Sequence, residues 1–500
     1  MKRDIFINFI FTLLISMIMF IQNKYFVQYL GIEILGIMKL FTQLLQYLNI
    51  VELGLGSATT FALYKPLAEK NREQISIIIS TIKSIYNKIS LILLSLGILI
   101  TPFLTYFIKL DNFTKDIYFY WIFYVINTVS TYLYIKYIIL FTANQEFIYV
   151  RLIQSISKIF YQTLQIIFII KYSSFLLFIF LLFLDNLTQY IFFKIHYQKK
   201  YSYIYITKKR YKGLYKDIKN LFWHKIGSLI VFNTDLILIS KLVSIETVGV
   251  YASYQLVLQI ISTIVNTILN VIRPKLGKFI SMNSKIEIFE LFKKINIIFL
   301  YIGIFLTYNT YILINNFIKI WLGEEYTLTK FTLLLIGINL FIKIFGVIVE
   351  SFKEACGFFD DIQSPILESI INLVFSIILG MKYGLDGIII GTIISNILVI
   401  IIYKPIIVFK RCFDKGVSEY IKIYGNYLFL LSGSLIILSI ITGISREKDV
   451  NTWIDWLIYA TITSIKTGGG GFIIFLFNKE FRNIIYIYIL KRKNNNGKLL

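Results

Sequence analysis

Residues 51–71 read VELGLGSATTFALYKPLAEKN, an apolar stretch dotted with glycine that ends at Lys65 and Pro66 and passes into charge. A glycine-rich loop that opens a helix binds phosphate in some soluble proteins. Such a loop follows a strand and ends in Gly-Lys-Ser/Thr, and this sequence shows neither feature. We therefore interpret the stretch as the inner half of a membrane helix that reaches water on its positively charged side.

The composition of the whole chain supports this interpretation. Of its 500 residues, 57% are hydrophobic and 16% are charged, whereas an ordinary globular protein is about 45–50% apolar and about 25% charged. Apolar runs such as 89–108 and 175–193 approach the roughly 20 residues that cross a bilayer, and similar runs recur along the chain. We predict an all-α, polytopic membrane protein with about 14 (roughly 12–14) transmembrane helices.

The predicted spans group into two pseudo-symmetric six-helix lobes plus a C-terminal helix pair. The spans are 5–23, 37–63, 88–108, 117–142, 152–170, 174–194, 221–243, 248–271, 294–316, 327–350, 364–382, 386–403, 423–443 and 453–477. The predicted domains are an N-terminal lobe (1–198), a basic cytoplasmic linker between the lobes (199–220), a C-terminal lobe (221–410), and two additional helices with a basic cytoplasmic tail (411–500).

The charge distribution predicts the topology. Most of the 51 Lys and Arg residues fall in alternate connections between spans, which places those connections and both termini in the cytoplasm. The net charge of +23 is spread over these connections, so we predict no nucleic-acid partner. With two Cys and two His residues in the chain, we also expect no metal site, no cofactor and no disulfide framework.

A short motif is repeated in the two predicted halves. LGIEILGI (30–37) and VSIETVGV (243–250) share Ile, Glu and Gly at a constant offset. Each copy precedes a polar-striped helix that we expect to end at a basic residue followed by proline, Lys65-Pro66 and Arg273-Pro274. Duplicated six-helix halves are typical of transporters whose binding site lies near the middle of the membrane.

These residues also carry a resemblance to a known family. The run YFVQYLGIEILGIMKLFTQLLQYLNIVELGLGSATTFALYKPLAEKN (25–71) resembles the first helical pair of the Wzx-type flippases for O-antigen and other lipid-linked oligosaccharides. Those proteins share a superfamily with the lipid II flippase and the multidrug extruders. The hydropathy pattern and the repeat extend the resemblance over roughly residues 1–410.

The resemblance implies a fold, a substrate and partners. It implies a V-shaped bundle of two six-helix lobes around a central cavity, located in the bacterial inner membrane. The implied substrate is a polyprenyl-pyrophosphate-linked oligosaccharide of a pathway such as lipopolysaccharide assembly. Membrane lipids, a polysaccharide polymerase and glycosyltransferases are the other implied partners.

Several spans carry polar residues at helical spacing, and these are the candidate binding residues. A charge in the middle of a membrane costs about 2.5–3.5 kcal/mol on insertion scales, so such stripes should face a wet cavity or another helix. Amides suit sugar hydroxyls, and Lys and Arg suit phosphate. We predict cavity residues Lys39, Gln43, Gln46, Lys158, Asp235, Gln255, Gln259, Asn266, Arg273, Asn339, Lys343 and Glu350. The alternative for each is a hydrogen bond between helices.

The predicted function is transport by alternating access, with no catalytic residue. Glu52, Asp235 and Glu350 are candidates for coupling to a proton or sodium ion. The alternatives are a multidrug or cation extruder, a lipid II flippase and, less favoured, a membrane glycosyltransferase or polymerase. We do not predict an enzyme, because the predicted outer turns are short and contain no histidine.

Overall fold

The computed structural model describes residues 2–49, 55–108, 115–211, 234–358, 361, 363–443 and 450–486, and these residues form helices and no strand. The helices of the first half are α1 (Lys2–Leu30), α2 (Ile32–Leu48), α3 (Leu55–Ala68), α4 (Arg72–Ile100), α5 (Leu104–Phe107), α6 (Asp116–Thr131), α7 (Ile135–Ala143), α8 (Phe147–Tyr172), α9 (Phe175–Lys200) and α10 (Asp235–Leu242). The remainder are α11 (Ile245–Met282), α12 (Lys285–Trp321), α13 (Lys330–Ala355), α14 (Gln363–Asn396), α15 (Lys404–Cys412), α16 (Val417–Thr442), α17 (Trp453–Leu476) and α18 (Lys479–Tyr486). A π-helical segment, Ile397–Tyr403, joins α14 to α15.

The chain divides into two compact units, Met1–Val250 and Tyr251–Leu500. The first unit holds α1 to α10 and the first residues of α11, and the second holds the rest. The predicted lobe and linker boundaries at 198, 220 and 410 stay predictions.

The all-helical, multispan architecture is confirmed. Within the described residues, 10 helices are long and apolar enough to cross a membrane, or 11 if α17 and α18, bent by 102°, form one span. The range given for α14 contains two helices that meet at Gly384 (φ 59°, ψ −132°), in agreement with the predicted spans 364–382 and 386–403. The two helices lie side by side, and the Asn372 side chain donates to the Thr392 hydroxyl at 3.0 Å. The predicted span 37–63 is divided between the two shorter helices α2 and α3. Most of the predicted span 221–243 lies outside the described residues.

The prediction that two helices end at proline is wrong. Pro66 lies inside α3 and Pro274 lies inside α11, and both helices continue beyond them. A proline removes one backbone hydrogen bond, and neighbouring groups in a membrane protein compensate for that loss. The helix α4 also begins earlier than its predicted span, because the Asn71 side chain accepts a hydrogen bond from the Gln74 backbone N–H at 3.0 Å and caps it.

Each unit has an aromatic core of its own. In the first, Phe26 meets Phe178 edge to face with ring centroids 5.1 Å apart, and the Trp121 indole N–H donates to the Gly97 carbonyl at 2.8 Å. In the second, Phe292 packs edge to face on Phe352, with centroids 5.2 Å apart, close to the end of α13. These clusters fix the helices that present the polar faces described below.

One covalent link in the second unit was not predicted. Cys356, just after α13, and Cys412, the last residue of α15, form a disulfide with Cα atoms 6.2 Å apart. The two cysteines are separated by 56 positions in the sequence, so their number indicated no framework and their pairing depends on how the helices pack.

The two copies of the repeated motif contact each other within the first unit. The helices α2 and α11 begin at the matched residues Ile32 and Ile245. A Cβ atom on Gly36 would lie 2.1 Å from the Ile245 carbonyl oxygen, and one on Gly249 would lie 2.3 Å from the Ile32 carbonyl oxygen. The contact is therefore reciprocal, and glycine in both copies permits the backbones to approach this closely.

Candidate functional site

The helix α11 presents three distinct faces. Its polar face consists of Gln255, Gln259 and Asn266, which are all exposed and lie on one side at helical spacing. About half a turn away, exposed apolar residues form a second face: Ile260, Ile264, Ile268 and Val271. Buried core residues form the third: Tyr254, Val265, Leu269 and Leu276. The polar residues of α11 are thus separate from both its core contacts and its apolar exposed surface.

Arg273 lies at the end of the polar face and is tied to α13. Its Nε donates to the Ser351 hydroxyl at 3.3 Å, and its guanidinium lies 3.8 Å from the Glu354 carboxylate. Both charged side chains are partly exposed, at 36% and 44%, so the pair is accessible to water. The structure therefore gives this predicted cation an acidic neighbour.

The predicted stripe on α13 divides into residues with different roles. Asn339 is buried and accepts a hydrogen bond from the Asn396 side-chain amide at 2.6 Å, which is the interhelical alternative stated above. One turn further on, Lys343 is exposed, and its charge acts on Glu368 of α14. Of these two residues, Lys343 is the one available to a ligand.

Glu350 belongs to a network that we call the α13–α15 charge cluster. Its carboxylate lies 3.0 Å from the Lys353 ammonium and 3.2 Å from the Lys404 ammonium. Lys353 also pairs with Asp361 at 2.9 Å, and Lys404 lies 3.6 Å from Glu368. The Lys353 and Asp361 side chains are only 8% and 4% exposed, so this ion pair is buried. The cluster as a whole links α13, α14 and α15.

Asp361 also caps α14. It accepts hydrogen bonds from the Ser364 hydroxyl and, at 3.1 Å, from the Ser364 backbone N–H. Burial raises the pKa of Asp361, but the hydrogen bonds from Ser364 and Lys353 outweigh burial and hold the pKa below its usual range. The carboxylate is therefore structural.

The predicted residues of α2 lie in the first unit. Lys39 is half-buried, and the buried Gln43 donates to the exposed Gln46 at 3.4 Å. Asp235, the first residue of α10, is near enough for its charge to act on Tyr47 of α2. Packing of α10 on α2 thus brings Asp235 toward the α2 residues. Glu52 lies outside the described residues.

Lys158 is placed apart from that group. It is exposed on α8, which packs mainly on α1 and α9. The charge of Asp185 of α9 acts on it, and Asp185 accepts hydrogen bonds from Ser157 and, at 3.0 Å, from Gln189. In the described part of the chain, no hydrogen bond or ion pair joins Lys158 to the predicted residues of α2.

A second charge cluster, centred on Glu146, joins the connection between α7 and α8 to the end of α9. Glu146 lies 2.7 Å from the His196 ring Nε2 and 3.0 Å from the Lys200 ammonium. It also accepts hydrogen bonds from Asn144 at 2.8 Å and from the Tyr201 hydroxyl. Burial raises the pKa of Glu146, but these hydrogen bonds outweigh burial and lower the pKa to about 2.

Sequence reasoning missed the partners in both clusters. Only one signal was available for the α13–α15 charge cluster: Glu350 and Lys353 are three residues apart on one helix and so share a face. Lys404 stands at a third basic residue–proline pair, but its contact with Glu350 depends on tertiary packing.

Comparison with solved structures defines the class of protein. The fold is similar to "Lipid II flippase MurJ, inward closed conformation", with a TM-score of 0.61 and 18% identity over 96% of this chain and 100% of that chain. It is also similar to an inward-facing multidrug resistance MATE family transporter of the MOP superfamily, with a TM-score of 0.61 and 14% identity over 82% of this chain and 95% of that chain. The chain is a polytopic membrane protein with the fold of that superfamily.

The sequence then identifies the family. A sequence model described as "Polysaccharide biosynthesis protein" matches residues 1–280, more than half of the chain, and the chain belongs to this family. A comparison with curated protein sequences finds no match. The resemblance noted from residues 25–71 is confirmed at the level of the family and the superfamily fold.

Proposed function

We propose that this protein is a flippase that moves a polyprenyl-pyrophosphate-linked oligosaccharide from the cytoplasmic to the outer leaflet of the bacterial inner membrane. The family match to polysaccharide biosynthesis supports the pathway. The observation that carries the proposal is the three-faced α11, whose exposed amides lie apart from both its core and its apolar exposed surface. Exposed amides within a membrane span need water or a polar ligand, because lipid satisfies no hydrogen bond.

The chemistry of the predicted cavity residues suits such a substrate. Gln255, Gln259 and Asn266 each offer a donor and an acceptor, which matches the hydroxyls of a sugar. Lys39 and Lys343 offer positive charge to a pyrophosphate. The lipid tail needs no polar path and stays in the bilayer while the head group crosses.

The membrane potential favours movement in the proposed direction. A pyrophosphate diester carries about two negative charges, and each charge moved outward across an inside-negative membrane gains about 2.3 kcal/mol per 100 mV. The total, about 4–5 kcal/mol per 100 mV, is enough to bias export. We propose Asp235 as the first residue to test for ion coupling, because α10 packs on α2 and brings Asp235 toward the predicted cavity residues of that helix.

The proposed topology places both termini in the cytoplasm. The concentration of Lys and Arg in alternate connections supports this orientation. In that orientation the head group is taken up on the side where glycosyltransferases use cytoplasmic sugar nucleotides, and it is released to a polymerase on the other side. These proteins are the proposed partners.

Export of the polysaccharide in a deletion strain tests the proposal. The strain is complemented with the wild type, with Gln259→Ala plus Asn266→Ala, or with Thr267→Ala. Thr267 is the matched control, because it is polar and exposed on α11 but hydrogen-bonds its own helix at the Thr263 carbonyl, 2.8 Å away. We expect lipid-linked oligosaccharide to accumulate on the inner face only with the double variant and in the deletion strain.

Two outcomes contradict the proposal. Normal export by the double variant at wild-type protein levels removes the α11 face from the path. If the deletion strain accumulates no lipid-linked oligosaccharide and instead becomes sensitive to toxic organic cations, the multidrug extruder is the better interpretation.

A further inference from the structure

The first unit also contains a polar cavity that none of its described helices fills. A cavity of about 290 Å³ opens between α4, α7, α9 and the chain that follows α9. Three lysines line it, one from each helix: Lys83, Lys136 and Lys194. None of the predicted cavity residues is among those that line it.

The charged residues that the structure describes in this cavity are all lysines. Among the described residues, no Asp or Glu lines it, and no ion pair engages any of the three lysines. The charges of Lys83 and Lys194 both act on Lys136. On the elements that border the cavity, Glu73 of α4 pairs with Lys209 at 2.6 Å, and Glu146 is engaged by the residues of its own cluster. Three like charges close together repel one another, and a bound anion would offset that repulsion.

The chain that follows α9 forms one wall of the cavity and is hydrogen-bonded to α4. Residues 203–211 run along α4, and their backbone N–H groups donate to its hydroxyls: Tyr205 to Ser76 at 3.3 Å, Thr207 to Ser80 at 3.0 Å, and Tyr211 to Thr81 at 3.0 Å. The Lys209–Glu73 ion pair is a further contact between this segment and α4. The wall is therefore already ordered before a ligand binds, which lowers the entropic cost of binding.

Two of the lysines make cation–π contacts with tyrosine rings, and these tyrosines also offer hydrogen-bonding groups to the cavity. The Lys136 ammonium lies 4.8 Å from the Tyr137 ring centroid, and the Lys194 ammonium lies 5.6 Å from the Tyr190 ring centroid. Both tyrosines line the cavity, and a phenol O–H donates readily to an oxyanion. Lysine ammoniums are compact point charges with three donors each, which suits the tetrahedral oxygens of a phosphate better than a planar carboxylate.

We propose that this cavity, the three-lysine pocket, binds a phosphate group at the cytoplasmic surface of the membrane. The position follows from the proposed topology, since all three lysines lie toward the predicted cytoplasmic ends of their helices. The ligand is a phosphate monoester or diester, carried either by an anionic lipid or by a soluble metabolite. The site is independent of the proposed transport path, and its binding is measured without transport.

Protection of the lysines from an amine-reactive label tests the site in the full-length protein. The protein is placed in phosphatidylcholine nanodiscs alone, in the same nanodiscs with inorganic phosphate or pyrophosphate added, and in nanodiscs containing phosphatidylglycerol. Mass spectrometry gives the labelling rate of each lysine. At about ten times the dissociation constant, a bound phosphate should slow labelling of the three pocket lysines by roughly tenfold.

Lys88 provides the matched control, because it is exposed on α4 and does not line the pocket. We expect its labelling rate to stay unchanged in all three preparations. In the variant Lys136→Gln, protection of Lys83 and Lys194 should be lost, whereas Lys88→Gln should keep it. Both variants replace an ammonium with an amide, and an unchanged elution profile shows that each is folded.

The outcomes separate the two sources of phosphate. Protection in phosphatidylglycerol nanodiscs alone identifies a lipid head group, and protection by added phosphate or pyrophosphate identifies a soluble ligand. Equal labelling in all three preparations overturns the proposal, as does protection that is the same at Lys88. Full protection of Lys83 and Lys194 in folded Lys136→Gln overturns it as well.

Discussion

The reciprocal contact between α2 and α11 predicts that alanine is not tolerated at Gly36. Its added Cβ would lie 2.1 Å from the Ile245 carbonyl oxygen and 3.1 Å from the Gly249 backbone nitrogen. Both neighbours are backbone atoms, so no side chain can rotate away and the helices themselves must separate. Overpacking of this kind costs about 1–3 kcal/mol, and we expect that loss in the free energy of unfolding of Gly36→Ala, with a similar loss for Gly249→Ala.

Equilibrium unfolding in mixed micelles measures this loss, and Gly56→Ala is the control. Gly56 also lies in a helix of the first unit, but its added Cβ would meet nothing within 4 Å. Alanine has the better helix propensity by roughly 0.5–1 kcal/mol, so the control should be neutral or slightly stabilised. Because Gly36 and Gly249 share one contact, the double variant should lose less than the sum of the two single losses.

If Gly36→Ala and Gly249→Ala unfold at the same free energy as Gly56→Ala, then the two copies of the motif do not pack as described. Strictly additive losses in the double variant would show that each glycine serves a contact of its own.

Further predictions concern the charge clusters and the ion-coupling candidate. Lys353→Met leaves Asp361 without its cation and Glu350 with Lys404 alone, so it should cost about 3–5 kcal/mol of unfolding free energy. Lys410→Met, at an exposed position of α15, should cost little, and equal losses would contradict a stabilising role for Lys353. The folded-state pKa of Glu146 is lowered to about 2, so its stabilisation is present above the ordinary pKa of about 4.3 and is lost as the pH falls through about 2. Thermal unfolding from pH 7 to pH 2 should show the wild type more stable than Glu146→Gln at neutral pH, with most of that difference gone at pH 2. A difference that stays constant over this range would refute the prediction. If Asp235 couples transport to an ion, Asp235→Asn should remove the dependence of export on the proton or sodium gradient while leaving protein levels unchanged; unchanged gradient dependence would rule it out.

Much of the fold was predictable because hydropathy and helical spacing are local properties. The motif copies at 30–37 and 243–250 indicated equivalent positions, and α2 and α11 begin at matched residues in the structure. The amides of α11 were predicted to share a face, and that face is exposed. These conclusions need no knowledge of which helix packs on which.

The remainder depended on tertiary packing. A polar stripe on α13 has the same spacing whether it faces water or another helix, and the hydrogen bond from Asn396 to Asn339 decides the question for one residue only. The Lys404–Glu350 pair joins positions far apart in the chain, and the three-lysine pocket joins three helices. Spacing within one helix carries no information about such contacts.

The central claim is that the polar face of α11 lines a water-filled path and its opposite face meets lipid. Single cysteines at Gln259, Asn266, Ile264 and Val271, in the chain with Cys356→Ser and Cys412→Ser, test it by labelling with a membrane-impermeant maleimide in intact and inverted membrane vesicles. All four positions are exposed in the protein, so only the surrounding medium distinguishes them. We predict labelling at 259 and 266 and none at 264 and 271; labelling at 264 and 271 with none at 259 and 266 would contradict the account.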